Sequence, residues 1–395
     1  MSEMKASRLR FEVAEYLARQ AKTRRAMIEQ GLDLLVIADP SNICWLTGYD
    51  AWSFYVYQCV VIGADSELFW FGRGIDAPAA HITTNLPDED IVAYPDHYVQ
   101  SPDVHPTEYL AQVLKQRQLD RGHIGAEMDN YYQTYRGMHL LMECLPDATF
   151  ADATALVNWQ RAIKSPAEIG YMRRAGEVIE EVYQRVLAVA EPGMRKNDLI
   201  AEILHAATRG TPQTYGDYAA IQPLISSGHE ACACHLTWDD KPLQHNSGIC
   251  LELAGAHHRY HCPVSRTLHF GPPPKKYRDI EAVILDAIDL VLDMCRPGTR
   301  CCEIADAFTQ HIRRHGYEKD NRCGYSIGLS YPPDWGERTM SLRDFDDTEL
   351  QEGMCFHFMP GMWFDDWGFE ITESLTVTPD GGQVLSQVPR HLFVK

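Results

Sequence analysis

One tetrapeptide constrains this chain more than any other: Ser165-Pro166-Ala167-Glu168, which opens "SPAEIGYMRRAGEVIEEVYQRVLAVAEPGM". A serine cap, a proline at the first helical position and a glutamate three residues on form a capping box, so a long helix is expected here. The texture of the chain changes at this point. Upstream, the charged start "MSEMKASRLRFEVAEYLARQ" reads as helical, and the apolar spacing of "FEVAEYLARQAKTRRAMIEQGL" runs to Gly31. "DLLVIAD" then reads as a short buried strand stopped by Pro40, and "YQCVVIGADSELFWFGRG" as two strands joined at Ala64-Asp65-Ser66. "TEYLAQVLKQRQL" and "YRGMHLLMECLP" read as helices flanking the strand "HIGAEM". Downstream, long helices ("RKNDLIAEILHAAT", "YRDIEAVILDAIDLVLDMC", "CCEIADAFTQHIRRHG") are interleaved with the strand-like "AAIQPLISSG", "GICLELAG" and "FEITESLTVT". A chain of 395 residues exceeds one ordinary domain. The boundary is expected near 155–164, dividing a smaller α/β domain (1–160) from a larger α+β one (161–395).

Composition narrows the function. Apolar residues make up 45% and charged residues 23%, which describes a chain with ample core. A formal net charge of −19 argues against nucleic acid and fits a cationic or zwitterionic ligand. No run of apolar residues is long enough to span a membrane, and the N-terminus lacks the apolar stretch of a signal peptide. The 12 cysteines are scattered without a CxxC pair, so reduced thiols in a cytoplasm are the simplest account.

The stretch most loaded with chemistry is "CLELAGAHHRYHCPVSRT", residues 250–267. Glu252 stands in an otherwise apolar strand, where a carboxylate needs a partner. On one strand His257 and His261 would share a face, and with Glu252 they offer a zinc site; the alternative is histidines satisfied by their neighbours.

Six landmarks in order carry a resemblance: "IKSPAEIGYMRRA", "SSGHEACACH", "LELAGAHHRYHCPVSRT", "GYSIGL", "LQEGMCFHFMPG" and "ITESLTVTPDGG". Together they resemble the pita-bread fold of methionine aminopeptidase, prolidase and creatinase. The segment "ADPSNICWLTGY" is similar to the creatinase-type domain that precedes that fold. Metal-dependent members use two aspartates eleven residues apart, a histidine and two later glutamates. Those positions here are Glu252, Pro263, Tyr325, Met359 and, with a register loose by one residue, Glu373. The resemblance therefore implies a site that has lost its metals, with no cofactor. His235 falls at the histidine that metal-free creatinase uses as a proton carrier.

Creatinase itself fits imperfectly, because Ser265 stands where it has a glutamate and Glu252 where it has an asparagine. The combination "GYDAWSFYVYQ", "LELAGAHHRYHCPVSRT" and "SYPPDWGERTM" resembles the ectoine hydrolase branch. That resemblance implies hydrolysis of the zwitterionic cyclic amidine ectoine to N-acetyl-L-2,4-diaminobutyrate in the cytoplasm. The expected catalytic residues are Glu252, His235 and Glu373. Tyr325, Trp52, Tyr55, Tyr331, Trp335 and Arg338 are expected to bind substrate, with Arg322 the rival to Arg338 for its carboxylate. A homodimer is implied, with residues 49–57 covering the partner's pocket, and a deacetylase as functional partner. The alternatives are a creatinase-like amidino or guanidino hydrolase, a metal-dependent Xaa-Pro peptidase, and a non-catalytic binding protein.

Overall fold

The structure is a computed structural model that describes residues 8–65 and 67–395. The chain divides into two units, Met1–Arg161 and Ala162–Lys395.

In the first unit a six-stranded mixed sheet runs in the order Ile91–Tyr94, Leu68–Arg73, Cys59–Gly63, Leu34–Ile37, Gly122–Ala126, Ala148–Asp152. Both of its faces are covered because successive side chains alternate and both sets are apolar. Leu35 and Ile37 pack with Met27, Ile43 and Leu46 on one side. Leu34 and Val36 pack with Leu110, Leu114 and Leu141 on the other. The helix Val13–Glu29 stops just before Gly31, whose φ of +69 is the left-handed conformation that ends helices. Cys59–Gly63 and Leu68–Arg73 pair antiparallel as expected. Ser66 of their connection, and the first seven residues of the charged start, lie outside the described residues. In the loop ahead of Cys59, Trp52 and Tyr55 are 60% and 58% exposed.

The second unit starts with the expected capping box. The Ser165 hydroxyl accepts the Glu168 N–H, and the Glu168 carboxylate accepts the Ser165 N–H at 2.8 Å. The helix Pro166–Val189 follows. It lies against a four-stranded sheet ordered Phe393–Val394, Tyr260–His269, Gly248–His257, Leu224–Ser227. A five-stranded sheet runs Gly336–Leu342, Gly324–Ile327, Cys355–Phe358, Glu373–Thr378, Gly381–Val384. Its outer face buries Phe356, Phe358, Leu375 and Val377 under the helices Lys275–Met294 and Cys301–Arg314.

The two sheets are stitched together along their inner faces. Arg266 and Ile371 form a bridge between them. The Ser374 hydroxyl donates to the Pro263 carbonyl at 2.6 Å, and the Ser265 N–H donates to the Thr372 hydroxyl at 2.7 Å. Pairing of Glu252 with Ser265 and of Ala254 with Pro263 sets all four on one face of the first sheet, the face turned to the second.

Candidate active site

Glu252 is the carboxylate on that inner face. It is 9% exposed, and burial pushes its carboxyl up to about 7. A second carboxylate, Glu370, lies close enough to feel it. Glu370 is raised well above the usual carboxylate range by burial and then by the charge of Glu252, with Lys319 acting in the opposite direction. Two buried carboxylates that feel each other's charge cannot both ionise cheaply, so the pair retains a proton near neutral pH.

Glu370 is held by its backbone. Its N–H donates to the Thr267 hydroxyl at 2.8 Å, and that hydroxyl donates to the Glu370 carbonyl at 3.1 Å. The Arg-Thr pair thus has a defined task in each residue. Thr267 positions Glu370. Arg266, fully buried, gives hydrogen bonds to the carbonyls of Ser265, Thr372, Val388 and Pro389 and to the Glu373 carboxylate at 2.8 Å. All the guanidinium nitrogens are used there, so Arg266 locks the sheet junction.

This corrects the expectation for Glu373. Its carboxylate is 2% exposed and is shared between Arg266 and Arg390, the latter at 3.2 Å. It is a counter-ion of the framework, and Glu370, three residues earlier, is the carboxylate beside Glu252. The zinc premise also fails. His257 and His261 belong to two strands of a hairpin whose turn carries His258 and Arg259 at φ +50 and +67. His257 pairs with Tyr260 and His261 with Ala256, so the two rings face opposite sides. His261 spends Nδ1 on the Arg259 carbonyl and Nε2 on the Ala220 N–H, both at 2.9 Å, and burial lowers it to about 4.

A cation and two thiols complete the pocket. Burial lowers Lys319 to about 8; its ammonium donates to the Gly361 carbonyl at 2.7 Å and stands over Trp363. Burial raises the Cys234 and Cys250 thiols, and the charges of Glu370 and Glu252 raise them further. His235 follows Cys234 directly, exposed, on the loop after the short helical turn Gly228–Cys232. The structure therefore brings the loop of His235 to the pocket border without burying the ring.

Tyr325 lies near enough to Glu252 to feel its charge. Its hydroxyl lies 2.8 Å from His357 Nδ1 and receives the Trp335 indole N–H at 2.7 Å. Tyr331 is buried, with the Arg259 guanidinium 5.5 Å from its ring. Arg338 is exposed on the edge strand, whereas Arg322 stacks over the Tyr325 ring at 4.4 Å. Trp52 and Tyr55 lie in the other unit, as described above.

Sequence reasoning missed Glu370, Lys319, His357 and Thr372. Glu370 had a readable signal, since "FEITES" offers two glutamates an odd number of residues apart, so both could not face one side of a regular strand.

With this geometry in hand, comparison with known proteins is informative. The sequence model of Metallopeptidase family M24 matches residues 170–379, and that of the Creatinase/Prolidase N-terminal domain matches residues 19–163. The chain belongs to family M24. Among M24 relatives, an ectoine hydrolase of Halomonas elongata is 49% identical over 98% of this chain and 99% of its own. An uncharacterized hydrolase/peptidase of Sinorhizobium fredii is 44% identical over 98% and 99%. A prolidase from Thermococcus sibiricus superposes with a TM-score of 0.82 at 16% identity, covering 96% of this chain and 99% of that one. The N-terminal domain of FACT complex subunit SPT16 from Cicer arietinum also superposes, with a TM-score of 0.75 at 14% identity over 96% and 97%. These superpositions show the creatinase-type α/β domain followed by the pita-bread domain. The fold alone does not select a chemistry.

The M24 name implies metals, and the residues here do not fit them. A pair of hard divalent cations needs several anionic oxygens around it. Pro263 offers only a carbonyl already bonded to Ser374, Met359 offers a thioether, and the Tyr325 oxygen is engaged by Trp335 and His357. Among the described residues no group of three or more His, Cys, Asp and Glu is placed to hold a metal ion. No helix among the described residues is long and apolar enough to cross a membrane.

Proposed function

We propose that this chain opens the cyclic amidine ring of ectoine by hydrolysis to N-acetyl-L-2,4-diaminobutyrate, without a metal or other cofactor. The observation that carries this reading is the buried Glu252–Glu370 pair, where metal-dependent relatives gather metal ligands. A pair of carboxylates short of one charge is complementary to a compact delocalised cation, and a protonated amidine is that cation. The 49% identical ectoine hydrolase of Halomonas elongata supports the choice of amidine.

The chemistry needs no Lewis acid, because an amidinium carbon between two nitrogens is already electrophilic. Glu252 pairs with the cation and attacks this carbon, forming a C–O bond while the C=N electron pair moves onto nitrogen. One ring C–N bond then breaks as its nitrogen is protonated. Water adds to the same carbon and Glu252 leaves, so the water oxygen stays as the amide oxygen. Both water protons finish on the departed nitrogen, which becomes an ammonium. Glu370 holds the proton inside the pocket, and His235 exchanges it with solvent.

The test is direct. Purified protein is incubated with ectoine, creatine or a Xaa-Pro dipeptide, in EDTA and with added Mn²⁺, and products are followed by NMR. Ectoine consumption that is indifferent to chelator is expected. Dipeptide cleavage that requires Mn²⁺ would return the chain to the peptidases, and turnover of creatine alone would make it a guanidino hydrolase.

A further inference from the structure

The Tyr325 hydroxyl belongs to a hydrogen-bonded series that crosses the two sheets: Trp335, Tyr325, His357, Thr372, Ser265. The distances are 2.7 Å from Trp335 Nε1 to the Tyr325 hydroxyl and 2.8 Å from there to His357 Nδ1. They are 2.7 Å from His357 Nε2 to the Thr372 hydroxyl and 2.7 Å from the Ser265 nitrogen to that hydroxyl. Tyr325 is 8% exposed, Trp335 1%, and His357, Thr372 and Ser265 are fully buried.

Four hydrogen bonds join five donors here, so one hydroxyl proton is left over, on Thr372 or on Tyr325. Ser265 N–H can only donate, so the Thr372 oxygen accepts from it. Thr372 is fully buried, so an unpaired hydroxyl proton costs more there than on Tyr325, which is 8% exposed; the Thr372 proton therefore goes to its one acceptor among the described residues, His357 Nε2. Burial drives the His357 imidazole down to about 3, so it is neutral and carries one N–H. With Nε2 accepting, that N–H is on Nδ1 and donates to Tyr325. Trp335 Nε1–H donates to the same oxygen. The Tyr325 oxygen therefore accepts twice, and its own proton has no acceptor among the described residues. Burial and the charge of Glu252 keep the phenol protonated far above neutral pH.

We infer that Tyr325 is a catalytic hydrogen-bond donor, presented beside Glu252 by this series, whose acceptor is the amidine nitrogen lone pair that appears only when the carbon becomes tetrahedral. The inference rests on the amidine hydrolysis proposed above. In the bound amidinium both nitrogens share their lone pairs with the carbon and present only N–H donors, so a phenol donor has no partner among them. Once Glu252 has attacked, each nitrogen is pyramidal and holds a lone pair. Tyr325 then gains a hydrogen bond that the ground state lacks, which accelerates the chemical step rather than tightening binding. The proton stays on tyrosine, which makes the contact a hydrogen bond and not a transfer. Thr372, His357 and Trp335 are positioning residues for it.

The test separates turnover from binding. In Tyr325→Phe the ring remains and only the hydroxyl is lost. Its kcat for ectoine is expected to fall about 10²-fold, the usual effect of removing one such donor, while Kd by calorimetry stays at the wild-type value. Thr372→Val lies outside the pocket and removes the donor that fixes the His357 tautomer, so the Tyr325 proton turns toward Nδ1. It is expected to lower kcat in the same direction with Kd unchanged, and it stands in if Tyr325→Phe does not fold. Wild-type kcat in either folded variant overturns the inference. So does a loss confined to Kd, which would mean that Tyr325 holds the substrate carboxylate in the ground state. A wild-type protein that binds but never opens ectoine sinks the proposed function itself, a different result from an active wild type with an indifferent Tyr325→Phe.

Discussion

Glu252 sets the pH behaviour of the site. Its carboxyl is raised by burial to about 7, above the usual carboxylate value of about 4.3. The folded state therefore holds a proton that the unfolded chain releases, and this contribution to stability is present at low pH and lost as pH rises through about 7. Binding of a cation runs the other way, since it favours the ionised pair. Ligand-free protein is expected to lose thermal stability between about pH 4.3 and 7, while ectoine affinity rises over the same range and releases protons. Calorimetry in buffers of different ionisation enthalpy measures that release. Glu252→Gln should abolish the release together with turnover, because the amide keeps the shape and lacks the charge. A variant that still turns over at the wild-type rate would show that the nucleophile is another group.

At the scale of elements, the segment from Gly368–Phe369 to Glu373–Thr378 divides framework from chemistry within three residues. Glu373 neutralises Arg266 in a place water does not reach. Glu373→Gln leaves that guanidinium beside Arg390 with no carboxylate, and the expected loss is about 3 kcal/mol of stability, seen as a lowered Tm with turnover per folded molecule retained. Glu370→Gln is expected to do the reverse, sparing Tm and lowering turnover. Both glutamates were visible in the sequence, yet their roles were not. The chain between them leaves the regular strand, so alternation could not say which one faces inward, and Thr267, which fixes Glu370, is a hundred residues away along the chain. Local signals read more truly. The capping box at Ser165 and the burial of Glu252 on an apolar strand depend on neighbours in sequence, and the structure has both. The histidine pair failed for a local reason, because a turn at His258 and Arg259 breaks the strand that the alternation assumed.

For the whole molecule, the exposed Trp52 and Tyr55 motivate an assembly prediction. The protein is expected to sediment as a homodimer at micromolar concentration, and Trp52→Ala is expected to weaken ectoine binding by completing the pocket less well. A fully active monomer would contradict both. The same fold is found in an Xaa-Pro dipeptidase of Bacillus anthracis, and Tyr325 shows what a metal pair in this site would disturb. On the family resemblance, holding such a pair would take an acid at 263, a free ligand at 325 and another acid at 359. A metal ligand at 325 in place of the phenol would take the second member out of a five-membered hydrogen-bonded series. Under the proposed mechanism, a metal ligand placed at 325 would remove the hydrogen-bond donor to the amidine nitrogen before the other ligands were in place.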